Sequence, residues 1–166
     1  MSNHPRRTLA HSFRDAFRGV WECLRRERNM RFHLCAAATV LFLGVRVGLS
    51  RGEMALLCLT VGAVPAMETM NTAVEKLCDY AERKHNPQIR LVKDLAAGAV
   101  VLTALGAAGV GAFLFLRRET WEVFLELVSH PVSCVLLVLW ALAAVVFTVL
   151  GPRGIRELFR RERRDG

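Results

Sequence analysis

The sequence predicts an all-α membrane protein. Its 166 residues are 53% hydrophobic and yet carry a formal net charge of +8, a pairing unusual for a soluble domain. The apolar residues are gathered into blocks, at about 34–49, 54–67, 95–116 and 132–150, with the charges between them. A spanning helix needs about 20 mostly apolar residues. The third and fourth blocks reach that length alone, and the first and second reach it with their polar flanks.

Taken in order, the first element is a helix over about 12–28, starting at Ser12 with Asp15 three positions on. Phe13, Ala16, Phe17, Val20, Trp21 and Leu24 recur at helical spacing, and Arg14, Asp15, Arg18, Glu22 and Arg25 take the other face. A basic amphipathic helix beside a span belongs in the membrane interface. Spans follow over about 33–49, 53–77 and 94–116, and a fourth over about 132–150, which Gly151-Pro152 ends. The small residues around Gly44 and over 106–112 predict close helix approach.

The basic residues set the orientation. Arginines crowd the segment before Leu34; Arg83, Lys84, Arg90 and Lys93 follow the second block; and the tail carries Arg153, Arg156, Arg160, Arg161, Arg163 and Arg164. The opposite loops hold only Arg46, Arg51, Arg117 and Arg118. Lys and Arg are enriched on the cytoplasmic side, so both termini and the 79–94 loop are expected inside. No cleavable leader is expected, since no small-residue cleavage site follows the first block. The apolar stripe Ile155, Leu158 and Phe159 directs the basic tail to lipid and not to nucleic acid. The five cysteines have no metal-like spacing and read as packing residues.

The stretch "PAMETMNTAVEKLCDY", residues 65–80, carries the chemistry. With about 100° per residue and Glu68 at zero, Asn71 falls near about −60°, Thr72 about +40°, Glu75 about −20° and Asp79 about +20°. These side chains share one side of the helix. A charge facing lipid costs at least about 3 kcal/mol, so the stripe must face protein. Glu75 lies near the cytoplasm, and Glu68 lies about 10.5 Å deeper along the axis, so the two cannot easily hold one ion. The simplest alternative is that these acids pair with arginines and only hold the bundle together. Lys93-Asp94, at the start of the third span, reads by itself as a solvated boundary, and Glu27 with Arg31 as a surface ion pair.

Three patches agree in order and spacing: "ERNMRFH" at 27–33, "ETMNTAVEKLCD" at 68–79 and "VKDLAAGAVVL" at 92–102. Together they resemble the prokaryotic diacylglycerol kinase and undecaprenol kinase family of small membrane lipid kinases. The resemblance implies a lipid-kinase core over 1–116, with an amphipathic surface helix and three spanning helices. It also implies a homotrimer with active sites between subunits, and transfer of the γ-phosphoryl group of MgATP to a lipid hydroxyl. By that resemblance Glu68 is the general base and touches the acceptor, with Arg31 and Ala97 beside it. Glu27 and Glu75 hold Mg²⁺, and Glu27, Asn71, Glu75, His85, Lys93 and Asp94 contact ATP. Ala96-Ala97 looks more like the undecaprenol kinase branch than the diacylglycerol kinase branch, where Gly-Ser is usual. The resemblance also places the chain in the bacterial inner membrane. Residues 117–166 extend beyond the family pattern, and transfer is expected to survive their removal. The competing reading is a small proton-coupled transporter working through Glu68, in which Glu27 and Lys93-Asp94 have no role.

Overall fold

The computed structural model describes residues 8–82 and 86–165, with side chains to residue 157. These residues form helices and no strand: α1 (Leu9–Arg26), α2 (Arg28–Val47), α3 (Arg51–Ala81), α4 (Pro87–Phe115), α5 (Arg118–Ser129) and α6 (Pro131–Asp165). Among the described residues, Arg28–Val47, Arg51–Ala81, Pro87–Phe115 and Pro131–Glu157 are long and apolar enough to cross a membrane. The chain is an all-α, multi-pass membrane protein, as its apolar blocks predict.

The first helix starts earlier than Ser12. Thr8 is its N-cap residue, and the Thr8 carbonyl accepts from the His11 and Ser12 amides. The reason lies in the apolar stripe: Leu9 stands four residues before Phe13, which stands four before Phe17, so one more turn extends the same face. All three remain exposed, which leaves that face of α1 to lipid.

Glu27, in extended backbone at φ −93° and ψ 121°, is at once the C-cap of α1 and the N-cap of α2. A single residue therefore makes the elbow between the surface helix and the first span. Gly48 closes α2 in the left-handed conformation, φ 74°, where glycine carries no Cβ penalty. Ser50 and Glu53 then open α3 with a reciprocal capping box.

The second span is longer than its apolar block because α3 continues unbroken through the polar stripe to Ala81. It packs chiefly against α4 and α2. Gly44 fits under Leu49 and Leu57, whose methyl carbons stand 3.0 Å from where a Cβ would be, so the α2–α3 crossing uses its missing side chain. Gly106, Gly109 and Gly111 have open space instead, so among the described residues these α4 glycines make no such close approach.

The extension folds back onto the rest. α6 lies along α2 and touches α1. Trp140 donates its indole N–H to the Thr39 hydroxyl at 3.1 Å. At the end opposite the elbow, Arg46 pairs with Glu126 at 3.2 Å and Arg117 with Glu53 at 2.9 Å.

Candidate active site

The polar stripe faces protein at its deep end and water at the other. Glu68 is 3% exposed and Thr72 5%, Asn71 and Glu75 are half-buried, and Asp79 is exposed. The Thr72 hydroxyl donates to the Glu68 carbonyl at 3.0 Å and sits 3.3 Å from the Cys23 thiol of α1. This contact fastens the surface helix over the buried turn of α3. Between α1 and α3 lies a cleft of about 460 Å³, lined by Arg18, Cys23, Thr72 and Lys76 among others.

The elbow closes the site from above. Asn29, in the first turn of α2, is the hydrogen-bonding neighbour of the Glu68 carboxyl, and the carboxylates of Glu27 and Glu75 both act on it electrostatically. Glu68 thus feels one acid from its own helix and one from the distant elbow. Among the described residues none of these three acids has an ion pair within 4.0 Å. Arginine pairing among the described residues therefore does not account for these acids, and the site carries negative charge that no ion pair there offsets.

The donor set suits a hard cation. Asn71 donates its side-chain N–H to Glu75 at 3.1 Å. A carboxylate only accepts, so this bond orients the amide. The Asn71 carbonyl oxygen is then buried with no hydrogen-bond partner, an acceptor left open beside the Glu75 carboxylate. No cluster of three His, Cys, Asp or Glu able to hold a metal exists among the described residues. Oxygen donors in that number fit Mg²⁺, which keeps waters and phosphate oxygens and needs one or two carboxylates.

Other predicted residues lie apart from this group. Lys93 bonds Asp79 at 2.5 Å and also feels the charge of Glu75. Its partner is therefore across the α3–α4 interface, while its sequence neighbour Asp94 turns to Arg90 at 3.9 Å. Ala97 is exposed on α4. Arg31 makes no pair with Glu27: it is 6% exposed and donates to the carbonyls of Leu24 and Thr148, at 3.2 and 3.1 Å. Helical spacing put Arg31 near Glu27, but the guanidinium turns instead to two carbonyls that lie where α1 ends and where Pro152 removes a helical donor. His85 lies outside the described residues.

Two site residues were not singled out from the sequence. Asn29 sits inside the "ERNMRFH" patch, which was its only signal. Cys23 is buried as a packing residue should be, but its contact with Thr72 is a helix-to-helix relation that no spacing announces.

The family described as prokaryotic diacylglycerol kinase matches residues 14–115. The chain belongs to that family. It is a membrane lipid kinase, an enzyme that uses a nucleotide and a lipid substrate in the bilayer. The undecaprenol kinase of Bacillus subtilis is 42% identical over 107 residues, covering 64% of this chain and 87% of that protein. The diacylglycerol kinase of Synechocystis is 35% identical over 109 residues, covering 65% of this chain and 62% of that protein. No solved structure matches the kinase. Family membership sets the transporter reading aside and gives the unpaired acids a purpose, since phosphoryl transfer typically needs a divalent metal.

Proposed function

We propose that this kinase transfers the γ-phosphoryl group of MgATP to the hydroxyl of undecaprenol, in preference to diacylglycerol. It would do so in the bacterial inner membrane, as a homotrimer with both termini cytoplasmic. The observation that carries the reading is that the carboxylates of Glu27 and Glu75 act on that of Glu68, with no ion pair to any of the three among the described residues. For the acceptor, the support is the resemblance at Ala96-Ala97 and the 42% identity to a protein named undecaprenol kinase.

Glu68 is the general base. Its carboxylate takes the proton of the lipid hydroxyl while that oxygen bonds to the γ-phosphorus; the bond from phosphorus to the bridging oxygen breaks, and ADP leaves. Asn29 orients the Glu68 carboxyl for this transfer. Glu27 and Glu75, with the free Asn71 oxygen, would hold Mg²⁺. The ion, when bound, supplies neutralisation of the phosphate charge. Lys93 exchanges Asp79 for a phosphate oxygen, a small change because an exposed ion pair is worth about 0–1 kcal/mol. Asp94 and His85 flank the nucleotide.

One turn deeper than Glu68, an apolar pocket of about 280 Å³ lies between α2, α3 and α4, lined by Phe32, Ala36, Val61, Val64 and Ala107 among others. It supports a hydrocarbon chain beside the base, with Ala97 on the same helix as Ala107. Arg31, held on carbonyls, belongs to the framework in this reading and not to the acceptor contacts.

The test is a transfer assay in detergent micelles with γ-labelled ATP, Mg²⁺ and either lipid. Labelled undecaprenyl phosphate should form faster than phosphatidic acid, and chelation should abolish both. Equal or reversed rates refute the acceptor; labelling of neither lipid by folded protein refutes the reaction.

A further inference from the structure

The fourth span meets the kinase core at several polar points, among them Trp140 on Thr39, Arg153 on Glu22 and the carbonyl of Thr148 on Arg31. Gly151, at φ 64° and ψ 179°, interrupts α6, in a backbone region that is almost glycine's alone. Pro152 follows. Proline has no N–H, so the carbonyl four residues back, that of Thr148, has no helical donor. An unpartnered carbonyl at membrane depth is costly. Arg31 fills the gap: its Nε donates to the Thr148 oxygen at 3.1 Å.

The other side of the same guanidinium reaches back along the chain. Nη1 donates to the Leu24 carbonyl at 3.2 Å, in the last turn of α1. Leu24 precedes the elbow residue Glu27 by three positions, and Arg31 follows it by four. One buried side chain thus ties the end of α1 and the start of α2 to the kink of α6. Gly151 is part of the fit, since a Cβ there would stand 2.9 Å from the Arg31 Cζ and 3.0 Å from Nη1.

We propose that Arg31 is a positioning residue, and that the Gly151-Pro152 kink of the C-terminal extension is its anchor, together holding the elbow so that Glu27 meets the metal-nucleotide. This rests on the reading of Glu27 as a metal-holding acid. The extension then contributes to the reaction: without it transfer continues, but with a looser metal site. Charged hydrogen bonds are the stronger kind, and the guanidinium that makes these two is itself buried.

The experiment uses the full-length kinase in detergent and its Gly151→Ala and Pro152→Ala variants. Glycine-to-alanine pushes the guanidinium away, and proline-to-alanine gives Thr148 a helical donor that competes with Arg31. Hydrogen exchange of amides 25–31 should quicken in both. Binding of Mn²⁺ in the presence of a non-hydrolysable ATP analogue, read by electron paramagnetic resonance, should weaken by about tenfold, as loss of a charged hydrogen bond predicts. The KM for lipid should stay unchanged. In an Arg31→Ala background, Gly151→Ala should add little further, because both act on one contact.

Unchanged exchange and unchanged Mn²⁺ affinity in both variants overturn the proposal, as does full additivity with Arg31→Ala. Should one variant fail to fold, the other decides. Glu27→Gln is the control: if it leaves Mn²⁺ affinity intact, the metal reading itself fails. If it weakens binding while the kink variants do not, only the anchoring role fails.

Discussion

Asn71 gives its side-chain N–H to the Glu75 carboxylate at 3.1 Å and keeps its own carbonyl oxygen buried and unpartnered. This is the most informative single bond in the site, because one amide both aims a carboxylate and offers an oxygen beside it. Asn71→Ala removes both effects. The Mg²⁺ concentration for half-maximal rate should rise by about tenfold, while the melting temperature shifts little, since Glu75 is only half-buried and water can replace the lost donor. Metal titration of the transfer rate checks this.

Glu68→Gln keeps the shape of the side chain and its contact with Asn29, and removes the base. The turnover number should fall by about 10²–10⁴-fold, the usual worth of a positioned proton acceptor. Stability should hold or rise, because a buried charge beside Glu27 and Glu75 is gone. A variant within tenfold of the parent rate would defeat the assignment. Thermal melts read in the same detergent separate lost chemistry from lost fold.

Lys93 and Asp79 form an exposed pair across α3 and α4. Lys93→Ala should raise the KM for nucleotide by about tenfold and change stability by less than about 1 kcal/mol. Asp79→Asn frees the lysine and should lower that KM slightly. Parallel KM measurements on the two variants test the exchange of partners; movement in the same direction would contradict it.

On the surface helix, Glu22 hydrogen-bonds Arg26 and stands near Arg25 and Arg153 of α6. The bond from Arg26, aided by the neighbouring arginines, holds the Glu22 carboxyl below the ordinary glutamate range. A depressed folded pKa means the contribution is complete above the unfolded value, about 4.3, and is lost as pH falls through the folded one. The attachment of α1 to α6 should therefore be constant near neutrality and loosen only in acid below that value. Hydrogen exchange of α1 against pH should show the step in the parent and not in Glu22→Gln. The step should be small, because the pair is exposed and screened.

The sequence alone determined the fold class, because apolar blocks of spanning length have no other use, and a bilayer admits only helices or closed barrels across it. It also determined that Glu68, Asn71, Thr72 and Glu75 share one side of α3, since that follows from the helical period. Where those side chains meet the rest of the protein was decided by tertiary structure. The Asn29 contact, the Cys23–Thr72 contact, the pairing of Lys93 with Asp79 in place of Asp94, and the seating of Arg31 on Thr148 all join residues of different helices. The proline that strips Thr148 of its donor is legible at position 152, but which side chain answers it is not. A helix's own period says which groups point together; only packing says which carbonyl, left without an amide, an arginine from another helix will find.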